Sequence, residues 1–194
     1  MSTWSFLREF VRDPVQLGAV APSGAALAQR MVEAADLRPG QVVVELGAGT
    51  GPMTAEILAR RPDGPFVTLE PNPPLAQILR ERFPGVRVEQ RYAQELRAIL
   101  TDMGQDHADR VVSSLPWAIW PETLQNEIFD AILEVLADDG RMVTFGYVHA
   151  QVLPAARRLR AALAARFGSV TTTPVAWMNV PPALVFVCDR PRRS

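Results

Sequence analysis

The stretch that decides the fold is Val42-Val-Val-Glu-Leu-Gly-Ala-Gly-Thr-Gly51, in which a β-branched run leads into a carboxylate and then into three alternating glycines. Such a run predicts a buried strand of a parallel sheet, and the glycines predict a tight turn where a ligand can approach bare backbone. A helix should begin near Pro52, since proline suits the first helical position. Glu70 ends the next apolar run and lies 19 residues beyond Gly51. A carboxylate there is placed to accept hydrogen bonds from a ribose diol.

The glycine spacing is Gly-x-Gly-x-Gly, with Glu45 two residues before the first glycine, and it differs from the Gly-x-Gly-x-x-Gly of dinucleotide-binding proteins. It resembles motif I of the class I S-adenosylmethionine-dependent methyltransferases. That resemblance implies S-adenosylmethionine as the cofactor, whose sulfonium and ammonium groups suit a nearby carboxylate. The implied cofactor contacts lie along the turn and at the tip of strand two, at Glu45, Gly47, Ala48, Gly49, Gly51, Glu70 and Pro71.

Apolar strands and amphipathic helices alternate along the rest of the chain, which predicts an α/β fold with a mostly parallel sheet. The predicted architecture is a single Rossmann-like class I methyltransferase domain of seven strands with an antiparallel last strand. Strand five is expected at residues 142–147, and the final two strands at 171–178 and 184–188. Residues 1–38 would form N-terminal helices, one amphipathic and one covering the cofactor, before a core at residues 39–194.

Composition narrows the class of protein. A chain of 194 residues with 48% apolar residues can bury one substantial core. No apolar run approaches the roughly 20 residues that span a membrane, and the N-terminus lacks the basic-then-apolar order of a secretory signal. The single Cys188 excludes an internal disulfide, which fits a reducing cytoplasm. Neither histidine has a second ligand at a suitable spacing, so no metal site is expected.

The two ends of the chain indicate possible partners. A helix predicted over residues 3–12 has a broad apolar face that could dock on the core, lie on a membrane, or alternate between them. Residues 141–194 carry eight arginines against a single acid, whereas the rest of the chain is net acidic. This asymmetry indicates an anionic partner, either a lipid surface or nucleic acid, or else only a solvated helix face and a frayed tail.

The substrate is expected at the exit loop of strand four, Ser114-Leu-Pro-Trp117, because ligands bind at the carboxyl ends of parallel strands. Methyl transfer mainly requires that acceptor and methyl are held at near-attack distance, and an amine acceptor must first lose a proton. The loop offers backbone carbonyls for an amine and an indole that could cover a methylated cation, although Trp117 could instead fill the core. Tyr147, at the end of strand five, could steer the amine, bind a lipid phosphate, or only cap the core.

The exit loop is similar to the Asn-Leu-Pro-Tyr motif of ribosomal RNA adenine dimethyltransferases, with Ser114 and Trp117 in place of the Asn and the Tyr. Over most of its length the chain resembles the bacterial phospholipid N-methyltransferase family. That similarity rests on an amphipathic N-terminal helix, the glycine motif and the Ser-x-Leu-Pro loop. It also rests on Gly18-Ala-Val-Ala-Pro-Ser23 and Trp177-Met-Asn-Val-Pro-Pro-Ala183.

The wider resemblance implies a phospholipid substrate and an anionic membrane surface as partners, for a cytoplasmic enzyme peripheral to the inner face of the membrane. It implies membrane contacts by Trp4, Phe6, Leu7 and Phe10. It implies catalytic or acceptor-side places for Ser114, Leu115, Pro116, Trp117, Tyr147 and Asn179, with Ser114 also near the cofactor. After strand three many relatives have Gly-Asp-Ala, whose Asp binds the adenine amino group. This chain has Gln90-Arg-Tyr-Ala93, and Gln90 or Glu95 could accept that hydrogen bond instead.

The leading hypothesis is methyl transfer from S-adenosylmethionine to the amine of phosphatidylethanolamine and its partly methylated forms. The first alternative is an RNA adenine N6-methyltransferase, which Ser114 disfavours because serine lacks the paired carbonyl and amide of asparagine. The second alternative is a non-catalytic lipid-binding protein that has kept the fold.

Overall fold

A computed structural model of the chain describes residues 24–60, 63–176 and 181–192. The predicted terminal helix, with Trp4, Phe6, Leu7 and Phe10, and the predicted contact at Asn179 lie outside these residues. The strands are β1 Val43–Leu46, β2 Phe66–Leu69, β3 Arg87–Glu89, β4 Ala108–Ser113, β5 Leu136–Tyr147, β6 Phe167–Thr172 and β7 Ala183–Pro191. The helices are α1 Ala25–Ala35, α2 Pro52–Arg60, α3 Pro73–Arg82, α4 Leu96–Asp102, α5 Glu122–Val135 and α6 Pro154–Arg166. Three short 3₁₀ turns are Ala93–Glu95, Trp117–Ile119 and Val148–Val152.

In the described part of the chain the strands form one seven-stranded sheet in the order β3-β2-β1-β4-β5-β7-β6. The first five strands in sequence pair in parallel, whereas β7 runs antiparallel to both of its neighbours. The α/β architecture with an antiparallel last strand is thereby confirmed. The order reverses between β1 and β4, and such a switch point is where open α/β sheets bind ligands.

The strand predicted around residue 43 lies at the centre of the sheet and is buried on both faces. Val43 packs against α1 and α2 on one side of the sheet, and Val44 packs against α4 and α5 on the other. Because both faces of a central parallel strand are covered, a continuous β-branched run is the sequence that suits it. The helix that follows begins at Pro52, as predicted.

The predicted bounds of the last three strands are wrong, since β6 ends at Thr172 instead of 178, β7 ends at Pro191 instead of 188, and the starts of β5 and β6 also differ. Strand β5 begins at Leu136 instead of 142, with an irregular register in which Ala108 pairs with Leu136 but Arg110 pairs with Arg141. Strand β6 begins at Phe167, directly after α6, instead of at 171. The Phe167 side chain is buried, so it fixes the start of the strand although the glycine and serine that follow it are poor strand formers.

Two arginines of the sheet bind the carbonyl groups at the C-terminal end of helix α1. The Arg110 guanidinium donates to the Ala35 carbonyl at 2.8 Å, and that of Arg141 donates to the Ala34 carbonyl at 2.9 Å. Arg141 also forms a bidentate pair with Asp189 across the β5–β7 ladder, with distances of 2.7 and 3.3 Å. No residue of α1 lines the cavity at the carboxyl ends of the strands, and the cofactor-covering helix within residues 1–38 stays a prediction.

Across residues 24–60, 63–176 and 181–192 no helix combines the length and the apolar character needed to cross a membrane. In the same ranges no three His, Cys, Asp or Glu side chains lie close enough together to hold a metal ion.

Candidate active site

The carboxyl ends of β1, β2, β4 and β5 surround a cavity of about 250 Å³, whose walls are completed by the three 3₁₀ turns. Of the predicted cofactor contacts, the cavity wall includes Gly47, Gly49, Glu70 and Pro71. Of the predicted acceptor-side residues, it includes Ser114, Leu115, Pro116, Trp117 and Tyr147. The two predicted groups therefore line one continuous space.

The glycine turn brings bare backbone to the cavity. Gly47 and Gly49 have φ values of 77° and 58°, in the left-handed region that favours glycine. A Cβ atom on Gly47 would lie 3.0 Å from Leu115 Cδ2, so the two sides of the cavity meet at this point. Gly51 and Ala48 do not line the cavity. Gly51 has a packing role instead, because a Cβ atom there would lie 2.4 Å from Phe83 Cε2.

Glu70 is fixed at the tip of β2 by two backbone donors. Its Oε2 accepts from the Gly49 N–H at 2.8 Å, and its Oε1 accepts from the Asn72 N–H at 3.0 Å. The side chain is 7% exposed, and burial raises the pKa of its carboxyl while the two N–H groups oppose that shift. Each carboxylate oxygen can accept more than one hydrogen bond, so Glu70 can still receive two hydroxyl donors from the cavity.

Glu45 is not among the residues that line the cavity, and its contact with the cofactor stays a prediction. Its side chain is fully buried between β1 and α2, where Oε2 accepts from the Thr54 hydroxyl at 2.7 Å. The buried Thr68 hydroxyl also interacts with this carboxyl and, like the Thr54 hydroxyl, acts to lower its pKa. Burial raises the pKa of Glu45 to about 7, against the effect of the Thr54 hydroxyl, so this carboxyl takes up a proton near neutral pH.

The residues after β3 also differ from the expectation. Gln90 is exposed and does not line the cavity. Glu95 is engaged by the Arg91 guanidinium at 2.9 Å and by the Tyr92 N–H at 3.1 Å. Gln94 lines the cavity instead; its Nε2 donates to Glu127 at 3.3 Å, and its buried Oε1 has no hydrogen-bond partner in the described ranges. Sequence reasoning missed Gln94, because only the packing shows which amide oxygen is left to accept.

The exit loop of β4 turns into the cavity but sends its indole into the core. The Ser114 N–H continues the ladder by donating to the Leu46 carbonyl at 2.9 Å. The Trp117 ring is 1% exposed, lies parallel to Phe129 with centroids 4.3 Å apart, and donates its N–H to the Thr144 hydroxyl at 3.0 Å. The ring packs as the core tryptophan of the alternative interpretation, while Trp117 also lines the cavity, and its contact with a methylated cation stays a prediction.

Tyr147 supplies the aromatic ring at the β5 end of the cavity. It is partly buried and packs edge-on against Phe145, with centroids 5.4 Å apart, and in parallel with the exposed His149 at 5.8 Å. The 3₁₀ turn that follows also contacts Tyr147, because the Gln151 side-chain amide donates to the Tyr147 carbonyl at 3.0 Å. Gln151 also lines the cavity and was not predicted from the sequence.

Comparison with known proteins relates this site to methyltransferases. The family described as "Ribosomal RNA adenine dimethylase" matches residues 24–109. The ornithine lipid N-methyltransferase of Singulisphaera acidiphila is 35% identical over 193 residues, covering 97% of this chain and 96% of that protein. The ribosomal RNA small subunit methyltransferase A of Thermotoga neapolitana is 34% identical over 121 residues, and the match spans 44% of its length.

Solved structures show the same fold at low sequence identity. The N-methyltransferase NodS of Bradyrhizobium japonicum has a TM-score of 0.68 at 11% identity, with 89% of this chain and 98% of that chain covered. An rRNA methylase of Streptococcus thermophilus has a TM-score of 0.61 at 15% identity, with 84% and 94% covered. With the full-length relative and the family match, the conclusion is that this chain belongs to the class I S-adenosylmethionine-dependent methyltransferases, in the group related to the ribosomal RNA adenine dimethylases.

Proposed function

We propose that this chain transfers methyl groups from S-adenosylmethionine to the amine of a membrane-lipid headgroup. The observation that carries the proposal is its similarity, over nearly the whole of both chains, to an ornithine lipid N-methyltransferase. Phosphatidylethanolamine and its partly methylated forms are the acceptors that the sequence motifs favour. The name of the relative adds ornithine lipid as a second acceptor to test. Phosphatidylethanolamine and ornithine lipid each carry an amine in the headgroup.

The residues at the β2 side of the cavity fit S-adenosylmethionine. The Glu70 carboxylate can accept from the two ribose hydroxyls, and the bare backbone of Gly47 and Gly49 leaves space for the methionine part. The unpartnered Gln94 Oε1 can accept from the adenine amino group. When bound, the cofactor supplies a methyl group on a positively charged sulfur.

The residues at the β4 and β5 side would hold the acceptor amine. An amine reacts through its lone pair, so the site must accept the amine's N–H groups while leaving that lone pair directed at the methyl. Ser114, Leu115 and Tyr147 line this side, and the Ser114 carbonyl and Tyr147 hydroxyl are groups that could accept from the amine. The walls are mostly apolar, with Phe145 and Ile119 among them, which keeps water away from the reacting atoms.

Exposed apolar side chains that suit a bilayer lie on or next to two of the turns that line the cavity, and are called the rim here. Ile119, Val152 and Leu153 have exposed fractions of 47%, 72% and 50%, and they belong to or directly follow the turns that line the cavity. Helix α6 begins beside them, and its exposed Arg157 and Arg158 have no acidic residue on the same helix. An apolar rim with arginines behind it favours docking on an anionic lipid surface.

The second candidate function is adenine N6-methylation of RNA, which the family match over residues 24–109 favours. Two features of the acceptor side count against it. Ser114 cannot offer the paired carbonyl and amide of the asparagine in that motif, and the buried Trp117 ring is not free to stack on an extruded base.

The test is to incubate the purified chain with S-adenosylmethionine labelled in its methyl group. Vesicles of phosphatidylethanolamine, vesicles of ornithine lipid and undermodified ribosomal RNA are supplied in parallel, and lipid and RNA are then separated. Label in either lipid supports the proposal, and the preferred vesicle identifies the headgroup. Label confined to RNA refutes it in favour of the second candidate, and a chain that binds the cofactor but labels neither acceptor refutes both.

A further inference from the structure

The side chain of Gln151 is held in one orientation at the cavity wall. It lies in the 3₁₀ turn after β5, and its Nε2 donates to the Tyr147 carbonyl at 3.0 Å. A carbonyl accepts only from the nitrogen of an amide, so this contact determines which end of the Gln151 amide is the oxygen. The oxygen must therefore point away from Tyr147.

The Gln151 oxygen is left without a donor. Oε1 is buried and has no hydrogen-bond partner among the described residues, although Gln151 lines the cavity. A buried acceptor without a partner costs free energy, and native proteins keep such a group where a ligand or a water completes it. An N–H or O–H donor that enters the cavity would complete it.

The backbone opposite is shaped to admit this amide. A Cβ atom on Gly146 would lie 2.5 Å from Gln151 Nε2, closer than side-chain atoms can approach. The amide thus occupies space that any other residue at position 146 would take. Position 146 is the second-to-last pair of the β5–β7 ladder, opposite Leu184, and a glycine there often marks a close approach by another group.

Gln151 lies away from the residues expected to bind the ribose and adenine of the cofactor, because it follows a different strand of the sheet. Glu70 follows β2, whereas Gln151 follows β5, and β1 and β4 lie between them in the sheet. Three strand spacings put the two strand ends roughly 14 Å apart. Gln151 is therefore on the side of the cavity where the acceptor approaches, together with Tyr147 and Ser114.

We propose that Gln151 Oε1 accepts a hydrogen bond from the N–H of the acceptor amine and so directs the lone pair of the nitrogen toward the methyl group. This inference rests on the proposed function, since it requires an amine acceptor. In the reaction a nitrogen–carbon bond forms, the sulfur–carbon bond breaks, and the sulfur keeps the electron pair as a neutral thioether. The nitrogen becomes an ammonium and releases its proton to solvent; Gln151 takes no proton, because an amide oxygen is not basic.

The role of Gln151 depends on how many methyl groups the amine already has. A neutral primary amine has two N–H bonds, a monomethyl amine has one, and a dimethyl amine has none. The amide oxygen can therefore direct the first and second methyl transfers but has no donor to accept from in the third. A purely structural role for Gln151 would affect all three transfers alike.

The test is Gln151→Met, which has similar length and shape but no acceptor oxygen. Rates are measured with vesicles of phosphatidylethanolamine and of its monomethyl and dimethyl forms. We expect kcat/KM to fall about tenfold or more for the unmethylated lipid and to change less than about threefold for the dimethyl lipid. Gln94→Met is the matched control, since loss of a cofactor contact should lower all three rates in the same proportion.

A second variant displaces the same amide while Gln151 itself is retained, and in both variants the rate with the dimethyl lipid reports whether the fold is kept. Gly146→Ala should displace the same amide and give the same selective loss. Equal loss for all three lipids in Gln151→Met and Gly146→Ala, or no loss in Gln151→Met, would overturn the inference while leaving the proposed function intact. A wild-type chain that methylates none of the three lipids, nor ornithine lipid, would refute the proposed function and this inference together.

Discussion

Replacement of Glu45 by glutamine should remove a pH-dependent destabilisation of the fold. Burial raises the pKa of this carboxyl from the ordinary 4.5 to about 7 in the folded chain. Between these two values the folded state binds more protons at Glu45 than the unfolded state does, so stability falls as the pH rises through this window. A difference of 2.5 pK units corresponds to about 3 kcal/mol in the free energy of unfolding.

Glutamine does not titrate and can still accept from the Thr54 hydroxyl, so the variant should escape this loss. The free energy of unfolding of Glu45→Gln minus that of the wild type should rise by about 3 kcal/mol between pH 5 and pH 8. Titrating groups that do not interact with Glu45 are present in both proteins and largely cancel in the difference, whereas the repulsion between Glu70 and Glu45 is part of the effect that is measured.

Urea denaturation at several pH values between 5 and 8 measures this difference. Glu81→Gln, at an exposed position on α3, is the matched control and should show no such trend. A difference that stays constant across the range for Glu45→Gln would refute the reasoning, because it would mean that the folded chain does not hold a proton on this carboxyl.

Three further predictions concern the cavity, the rim and the core. Glu70→Gln should weaken binding of the reaction product S-adenosylhomocysteine roughly 10- to 100-fold by calorimetry, because a charged acceptor for two hydroxyls is lost; affinity within about threefold of wild type would reject the ribose assignment. The double variant Val152→Ser and Leu153→Ser should sediment at least about tenfold less with anionic vesicles than the wild type does. Leu58→Ser, at an exposed apolar position on α2, is the control and should sediment as the wild type does. Equal sedimentation of the wild type and both variants would exclude the rim as the docking surface. Cys188 is buried, and burial raises the pKa of its thiol to about 12, so a thiol reagent at pH 8 should label it only after denaturation; rapid labelling of the folded chain would contradict this packing.

The parts that the sequence predicts well are those whose causes are local. The β-branched run into Gly47 and Gly49, the helix start at Pro52 and the acid at position 70 each follow from neighbouring residues. Their spacing fixes where they meet, since the carboxyl ends of adjacent parallel strands lie at one edge of a sheet.

The parts that the sequence does not predict depend on packing between distant segments. Trp117 lies beside an exit loop but enters the core because Phe129 and Thr144 provide a parallel ring and an acceptor there. Glu45 stands two residues before the glycine turn, yet the alternation along β1 turns its side chain toward α2.

The two glutamines of the cavity show the same limit. Nothing in the sequence around Gln94 or Gln151 distinguishes it from an exposed polar residue. Each becomes a candidate ligand group only when its amide nitrogen is seen to be engaged and its oxygen is seen to be buried without a partner.

The most direct test of the proposed activity is mass spectrometry of the lipid recovered after the purified chain acts on mixed vesicles of phosphatidylethanolamine and ornithine lipid with S-adenosylmethionine. We expect that at least one of the two lipids gains methyl groups, and that fragmentation locates them on the headgroup nitrogen. Unmodified amines in both lipids, from a chain that binds the cofactor, would contradict the proposal.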